Sequence, residues 1–241
     1  MRWKHGGVDA ALAELFRRVG VPVSEYPLGD QELGEIPAEL AAAYPDAVTG
    51  LTAYAELLAT DGVVRGLLGP REVPRIWERH IGNCAVLEQE IAVGAHVVDI
   101  GSGAGLPGVV LALVRPDLKV TLVEPLLRRT TFLNEVVEAL ELDGRVEVLR
   151  GRAEDFAGKV VGDVVTSRAV AALDQLIAWS WPLIRPGGRM VVLKGATASD
   201  EVLAAEQVLA KRGAGVAHVM TVGYAGTQAT VVAINRPERQ G

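Results

Sequence analysis

Residues 98–108 read Val98-Asp99-Ile100-Gly101-Ser102-Gly103-Ala104-Gly105-Leu106-Pro107-Gly108. The run that leads into them, 95–100, is short, apolar and rich in Val, which predicts a strand. The run that leaves them, 107–114, has the spacing of a helix. A glycine-dense turn between a strand and a helix lets backbone approach a ligand closely and aims a helix N-terminus at it. From Gly103 onward the residues also fit the dinucleotide fingerprint G-x-G-x-x-G, which alone is a weak signal.

Working outward, further Val-rich runs are expected as strands at 120–124, 146–150, 163–167 and 190–194, with helices at 127–141, 170–184 and 199–212 between them. Strands alternating with helices imply a parallel sheet covered on both faces. The chain closes differently. Runs at 216–222 and 228–234 are joined by a short turn with no helix between, which predicts a hairpin and an antiparallel last strand. That pattern is the α/β, doubly wound, mostly parallel sheet of class I S-adenosylmethionine-dependent methyltransferases. Asp99 fits the same reading. It lies two residues ahead of the first loop glycine, where such loops carry an acid near the amino-acid end of the cofactor, and where a carboxylate would repel a pyrophosphate. Gly101, Gly103 and Gly105 are the expected loop contacts. Glu124 ends the second strand, where an acid accepts hydrogen bonds from ribose hydroxyls; dinucleotides use this too, so it supports a nucleoside without choosing between cofactors.

The first ninety residues look helical, at 8–19, 38–44, 46–60 and 72–88, with a Pro- and Gly-rich loop at 20–37. A helical N-terminal cap over 1–90 and a core domain over 91–241 are expected. The chain has 241 residues and a net charge of −6, all of it carried by residues 1–64. No strongly basic balance announces a nucleic-acid partner, so an RNA substrate requires local clusters of Arg. Cys84 stands alone, which excludes an internal disulfide, fits a reducing compartment, and leaves no Cys/His spacing for a metal. The N-terminal stretch lacks the apolar centre of a signal peptide. The uncharged stretches 100–114 and 213–235 are too broken by Gly and polar residues to span a membrane.

The stretch DIGSGAGLPGVVLALVRPDLKVTLVEPLLRRTTFLNEV, 99–136, resembles the bacterial 16S ribosomal RNA guanine-N7 methyltransferases, long called glucose-inhibited division protein B. GSGAGLPG, then VRPD, then E-x-x-x-R-R-x-x-F-L carry the likeness. Arg79-His80-Ile81, Arg152-Ala153-Glu154, Ser167-Arg168-Ala169 and Leu193-Lys194-Gly195 extend it. The family usually has Asn-Leu-Thr upstream of Arg-His-Ile and Asp-Ser after it; here those places read ATDGVVRGLLGPREV and Asn83-Cys84. The resemblance implies a cytoplasmic, S-adenosylmethionine-dependent enzyme that acts on 16S rRNA in the small subunit or its precursor. A monomer is the expected state.

The resemblance also places Gly101, Leu106, Ala153, Glu154 and Arg168 at the cofactor. On residue type alone Glu154 reads as a first-turn helix acid favoured by the dipole. Arg168 follows the fourth strand, at the end where parallel sheets bind ligands. Relatives that methylate exocyclic amines keep an Asn/Asp-Pro-Pro-Tyr/Phe motif there. Ser167-Arg168-Ala169 argues against that chemistry. Arg168 is assigned to catalysis, with the guanine edge, a phosphate and the cofactor carboxylate all open as its partner. Lys194, at the end of the fifth strand, is the second catalytic candidate. Arg79, Arg128, Arg129 and Arg152 are expected to bind RNA phosphates, with Arg65, Arg71 and Arg75 extending a basic stripe. His80 receives no catalytic role, and Trp77, Trp179 and Trp181 are expected in the core. A small-molecule methyltransferase and, less so, an NAD-dependent oxidoreductase are the alternatives.

Overall fold

The computed structural model describes residues 32–168, 171–224 and 226–238. The helix expected at 8–19 lies outside the described residues. Two helices, α1 (Ala38–Ala43) and α2 (Val48–Leu57), open the described chain. The segment expected as one helix at 72–88 is a succession of tighter and wider turns: a 3₁₀ turn Pro70–Arg75, a π-helical stretch Ile76–Gly82, then Asn83–Ala85 and Val86–Glu90. Pro74, inside the first of these turns, has no N–H to donate to a carbonyl four residues back.

The core alternates as expected: β1 (His96–Ile100), α3 (Gly108–Val114), β2 (Lys119–Glu124), α4 (Leu127–Ala139), β3 (Val146–Arg150), β4 (Gly162–Arg168), α5 (Leu173–Ser180), β5 (Ile184–Lys194), α6 (Ala198–Lys211), β6 (Ala217–Tyr224) and β7 (Thr227–Asn235). The sheet order is β3-β2-β1-β4-β5-β7-β6. β1 to β5 run parallel; β7 lies antiparallel between β5 and β6. The strand order reverses between β1 and β4, so a crevice opens beyond Ile100 and Arg168, the place where doubly wound sheets take ligands.

Two segments differ from expectation. The helix expected over 170–184 stops at Ser180, and β5 begins at Ile184, six residues before the Val-rich run that announces it. Arg185-Pro186-Gly187-Gly188 look like a turn. They sit inside the strand as an irregularity between the pairs Gly162–Ile184 and Val164–Arg189, with Gly187 at φ 75°.

Burial explains why the strands read as unbroken apolar runs. Val97, Val120, Val164 and Val191 enter the core on the face of α3 and α4; Val98, Val123, Val165 and Val192 enter the one under α5 and α6. Neighbouring side chains point to opposite faces and both faces are dry. The N-terminal helices join the first of these cores through Leu51, Tyr54, Leu58, Ile76 and Ile81, all with essentially no exposure. The fully buried Tyr54 hydroxyl donates to the Ala104 carbonyl at 2.7 Å, so the cap reaches into the glycine turn itself. Among the described residues no helix is long and apolar enough to cross a membrane.

Candidate active site

Gly101 and Ser102 both donate to the Val123 carbonyl, at 2.8 and 3.2 Å, which turns the chain sharply off the end of β1. Gly101 and Gly103 have φ of 67° and 61°, the left-handed region that costs a side-chain-bearing residue strain. Gly108 opens α3 so close to β1 and β2 that an added Cβ would overlap Leu122 and the Asp99 carboxylate. The Ser167 hydroxyl donates to the Ile100 carbonyl at 2.9 Å and ties the ends of β1 and β4 together.

Around this turn lies a cavity of about 780 Å³. Gly101, Gly103, Leu106, Glu124, Ala153, Glu154 and Arg168 line it, together with Arg129 and Arg152. Of the expected cofactor residues, Asp99 and Gly105 lie behind the wall. Gly105 packs toward Val109, Tyr54 and Leu133. Asp99 is fully buried; its Oδ2 accepts the Gly108 N–H at 3.0 Å, and its Oδ1 has no hydrogen-bond partner among the described residues. Burial pushes its carboxyl up to about 7, against the opposing pull of the Gly108 N–H.

That shift sets a sign. In the folded chain Asp99 holds its proton to about pH 7, against 3.8 as the ordinary value. The folded state therefore binds the extra proton between those values, and stability falls as pH rises through that window. Asp99→Asn keeps an acceptor for Gly108 and does not titrate. Its urea midpoint should exceed that of the wild type at pH 8, with a gap that narrows toward pH 5. A gap that does not change with pH would show that Asp99 carries no such penalty.

Glu124 is buried at the end of β2, with 1% of its surface exposed. Its Oε2 accepts the Gly103 N–H at 3.0 Å and its Oε1 the Leu126 N–H at 3.0 Å. Arg129 adds a contact at 3.4 Å. Each carboxylate oxygen has about two lone-pair sites; Oε2 holds both Gly103 and Arg129, and Oε1, with Leu126 alone, keeps room for a hydroxyl arriving from the cavity.

A second cavity of about 800 Å³ adjoins the first. Arg168 lines both; Arg79, Asn83, Lys194, Glu201 and Thr230 line only the second. Lys194 is largely buried, paired with Glu201 at 2.7 Å and donating to the Ala171 carbonyl at 3.0 Å. Arg128 is in the exposed first turn of α4 and lines neither cavity, while Arg79 is exposed and contacts Glu72 at 3.4 Å. The basic residues thus do not form one stripe: Arg129 and Arg152 face the first cavity, Arg79 the second, and Arg65 pairs with Asp61 and Glu135.

Several lining residues carried no sequence signal of a site. Leu67 and Leu68 come from the cap, and Trp179, expected in the core, faces the first cavity, whereas Trp77 and Trp181 are buried as expected. His80 also lines the first cavity, and its Nδ1 lies 2.6 Å from Arg168 Nη2.

Residues 48–230 match the family described as rRNA small subunit methyltransferase G. The chain is 61% identical over 170 residues to a ribosomal RNA small subunit methyltransferase G of Thermobifida fusca, covering 70% of this chain and 71% of that one. It is 53% identical over 212 residues to the protein of the same name from Salinispora arenicola, covering 83% and 88%. Among solved structures it is similar to P. horikoshii TYW2 in complex with MeSAdo, with TM-score 0.52 and 16% identity over 65% of this chain and 62% of that one. At that identity the likeness speaks for the fold alone, a class I methyltransferase fold.

Proposed function

The chain belongs to the rRNA small subunit methyltransferase G family, and we propose that it transfers the methyl group of S-adenosylmethionine to N7 of a guanosine in 16S rRNA. The observation that carries this reading is the pair of adjoining cavities with Arg168 in the wall between them. The first has the features a nucleoside with an amino-acid tail requires. Its volume is in the range of small-molecule sites. Gly101 and Gly103 give it a backbone floor, Glu124 Oε1 offers an acceptor for a ribose hydroxyl, and Ala153 leaves space for a flat base. When bound there, the cofactor supplies an electrophilic methyl group on a positively charged sulfur.

The second cavity is the place for the base. Guanine N7 has a free lone pair and no proton to lose, so attack needs alignment and no general base. The charged side chains of that cavity agree. Lys194 and Glu201 neutralise each other, and Arg168 and Arg79 are permanent donors. Arg168 can offer two N–H groups to the O6/N7 edge or to a phosphate. Arg129 and Arg152, on the rim of the first cavity, suit the RNA backbone on its way in.

The decisive experiment is transfer of labelled methyl groups to purified small subunits lacking the modification, followed by mapping of modified guanosines. One methylated N7 is the expected result. Label found only in metabolites would replace this reading with a small-molecule methyltransferase, and binding of NAD in place of S-adenosylmethionine with an oxidoreductase.

Glu124→Ala should weaken S-adenosylmethionine and S-adenosylhomocysteine alike, by roughly 1–3 kcal/mol, because both carry the same ribose. Calorimetry with each ligand measures it. Unchanged affinity for both would remove Glu124 from the ribose.

A further inference from the structure

We propose that Glu72 and His80 form a hydrogen-bonded positioning chain that fixes the Arg168 guanidinium between the two cavities, with His80 acting as a neutral ring that carries its proton on Nε2. The proposal rests on the methyltransferase reading for what Arg168 does, and on the geometry alone for how it is held.

A guanidinium nitrogen only donates. Arg168 Nη2 lies 2.6 Å from His80 Nδ1, so Nδ1 must be the acceptor. The ring proton is then on Nε2, which lies 3.0 Å from Glu72 Oε2, an acceptor. One tautomer satisfies both contacts, and no other form does. The Nδ1–H tautomer would set two donors against each other, and the imidazolium would add a second positive charge beside the guanidinium.

The three residues come from three elements. Glu72 is on the 3₁₀ turn Pro70–Arg75, His80 on the π-helical stretch Ile76–Gly82, and Arg168 at the tip of β4. The His80 side chain is only 10% exposed. Glu72 is steadied from its other side by Arg79 at 3.4 Å and Arg75 at 3.9 Å. The second guanidinium nitrogen of Arg168 lies 3.7 Å from Cys84 Sγ. The charged and titratable groups around the chain are thus Glu72, Arg75 and Arg79 from the cap and Arg168 and Cys84 on the guanidinium, with Tyr54 of α2 and Asp99 of β1 behind them. Burial and the Arg168 charge hold the His80 ring below the ordinary histidine range, against the pull of Glu72. An Arg side chain has many rotamers, and alignment of an N–H donor with a base edge tolerates few of them. The chain Glu72–His80–Arg168 selects one, and acid breaks it at the histidine.

Two measurements test this on the intact 241-residue chain. The first is long-range ¹H–¹⁵N NMR of histidine-labelled protein, with the His80 signals assigned by their loss in His80→Phe. A neutral ring with Nδ1 unprotonated and Nε2 protonated at pH 7 is expected. An Nδ1–H tautomer or an imidazolium there overturns the chain, whatever the enzyme acts on. The second is single-turnover methylation of small subunits. His80→Phe keeps a ring without an acceptor and, in a variant that a melting curve shows to be folded, should lower the rate by at least roughly tenfold at neutral pH. It should also abolish the acid limb of the wild-type pH profile. Glu72→Gln retains an acceptor for Nε2–H and should keep most of the rate, whereas Glu72→Ala, at a partly exposed site that does not threaten folding, should lose rate. A wild-type rate and pH profile in His80→Phe, or equal rates in Glu72→Gln and Glu72→Ala, overturns the positioning role. If the wild-type chain methylates no small subunit, the methyltransferase reading fails while the NMR result still decides the chain.

Discussion

Gly101→Val should abolish binding of S-adenosylmethionine and S-adenosylhomocysteine. Two effects act together. Gly101 has φ 67°, and a β-branched residue there is a conformational outlier that costs on the order of 1–2 kcal/mol or more. Its N–H holds the Val123 carbonyl at 2.8 Å, so the turn cannot relax without giving up the contact that ends β1. The added side chain also points from a residue that lines the first cavity, where the cofactor's amino-acid part is expected. Gly101→Ala separates the causes, since it keeps most of the backbone strain and adds a single methyl group. Isothermal calorimetry reads the affinity, and a melting curve checks that the variant is folded. Micromolar binding retained by a folded Gly101→Val would remove the cofactor from this turn.

The turn was legible because glycine spacing and the switch from period-2 to helical spacing mark it locally. Strand-end residues were legible for the same reason: once β2 and β4 are placed, Glu124 and Arg168 must sit at the ligand edge. Other features depend on contacts that no local pattern encodes. Arg168 and His80 are 88 positions apart and meet because the cap packs over the crevice. The expectation that Lys194 points to the ligand edge is met in position, but Glu201, one helix turn into α6, draws its charge into a buried pair. Asp99 was read from its place ahead of the glycines. Its side chain alternates onto the same face as Val97, which turns its carboxylate toward the Gly108 N–H behind the cavity wall. Arg185-Pro186-Gly187-Gly188 carry every mark of a turn, and the pairing of Ile184 and Arg189 on either side of them with β4 keeps them within a strand.

Arg168→Ala should leave the fold intact and greatly reduce methyl transfer to small subunits. The side chain is half-buried at the tip of β4, and its loss leaves His80 still held by Glu72 and Cys84 with a thiol that tolerates burial. Its place is what makes it costly. Arg168 is the charged side chain common to both cavities, at the tip of β4 where the strand order reverses. Single-turnover methylation should fall at least about tenfold, equivalent to roughly 1.4 kcal/mol of transition-state stabilisation. Cofactor affinity then distinguishes its partners. If the guanidinium holds the guanine edge or an RNA phosphate, affinity for S-adenosylmethionine changes little while the rate collapses. If it holds the cofactor carboxylate, affinity falls in parallel. Arg168→Lys sharpens the distinction, because an ammonium keeps the charge but cannot span His80 and a base edge with a planar fork. Rate recovered by Lys points to a phosphate, and rate still lost points to the base edge. Near-normal single-turnover methylation by Arg168→Ala, at normal cofactor affinity, would leave Arg168 as a structural partner of His80 and place the aligning group elsewhere in the second cavity.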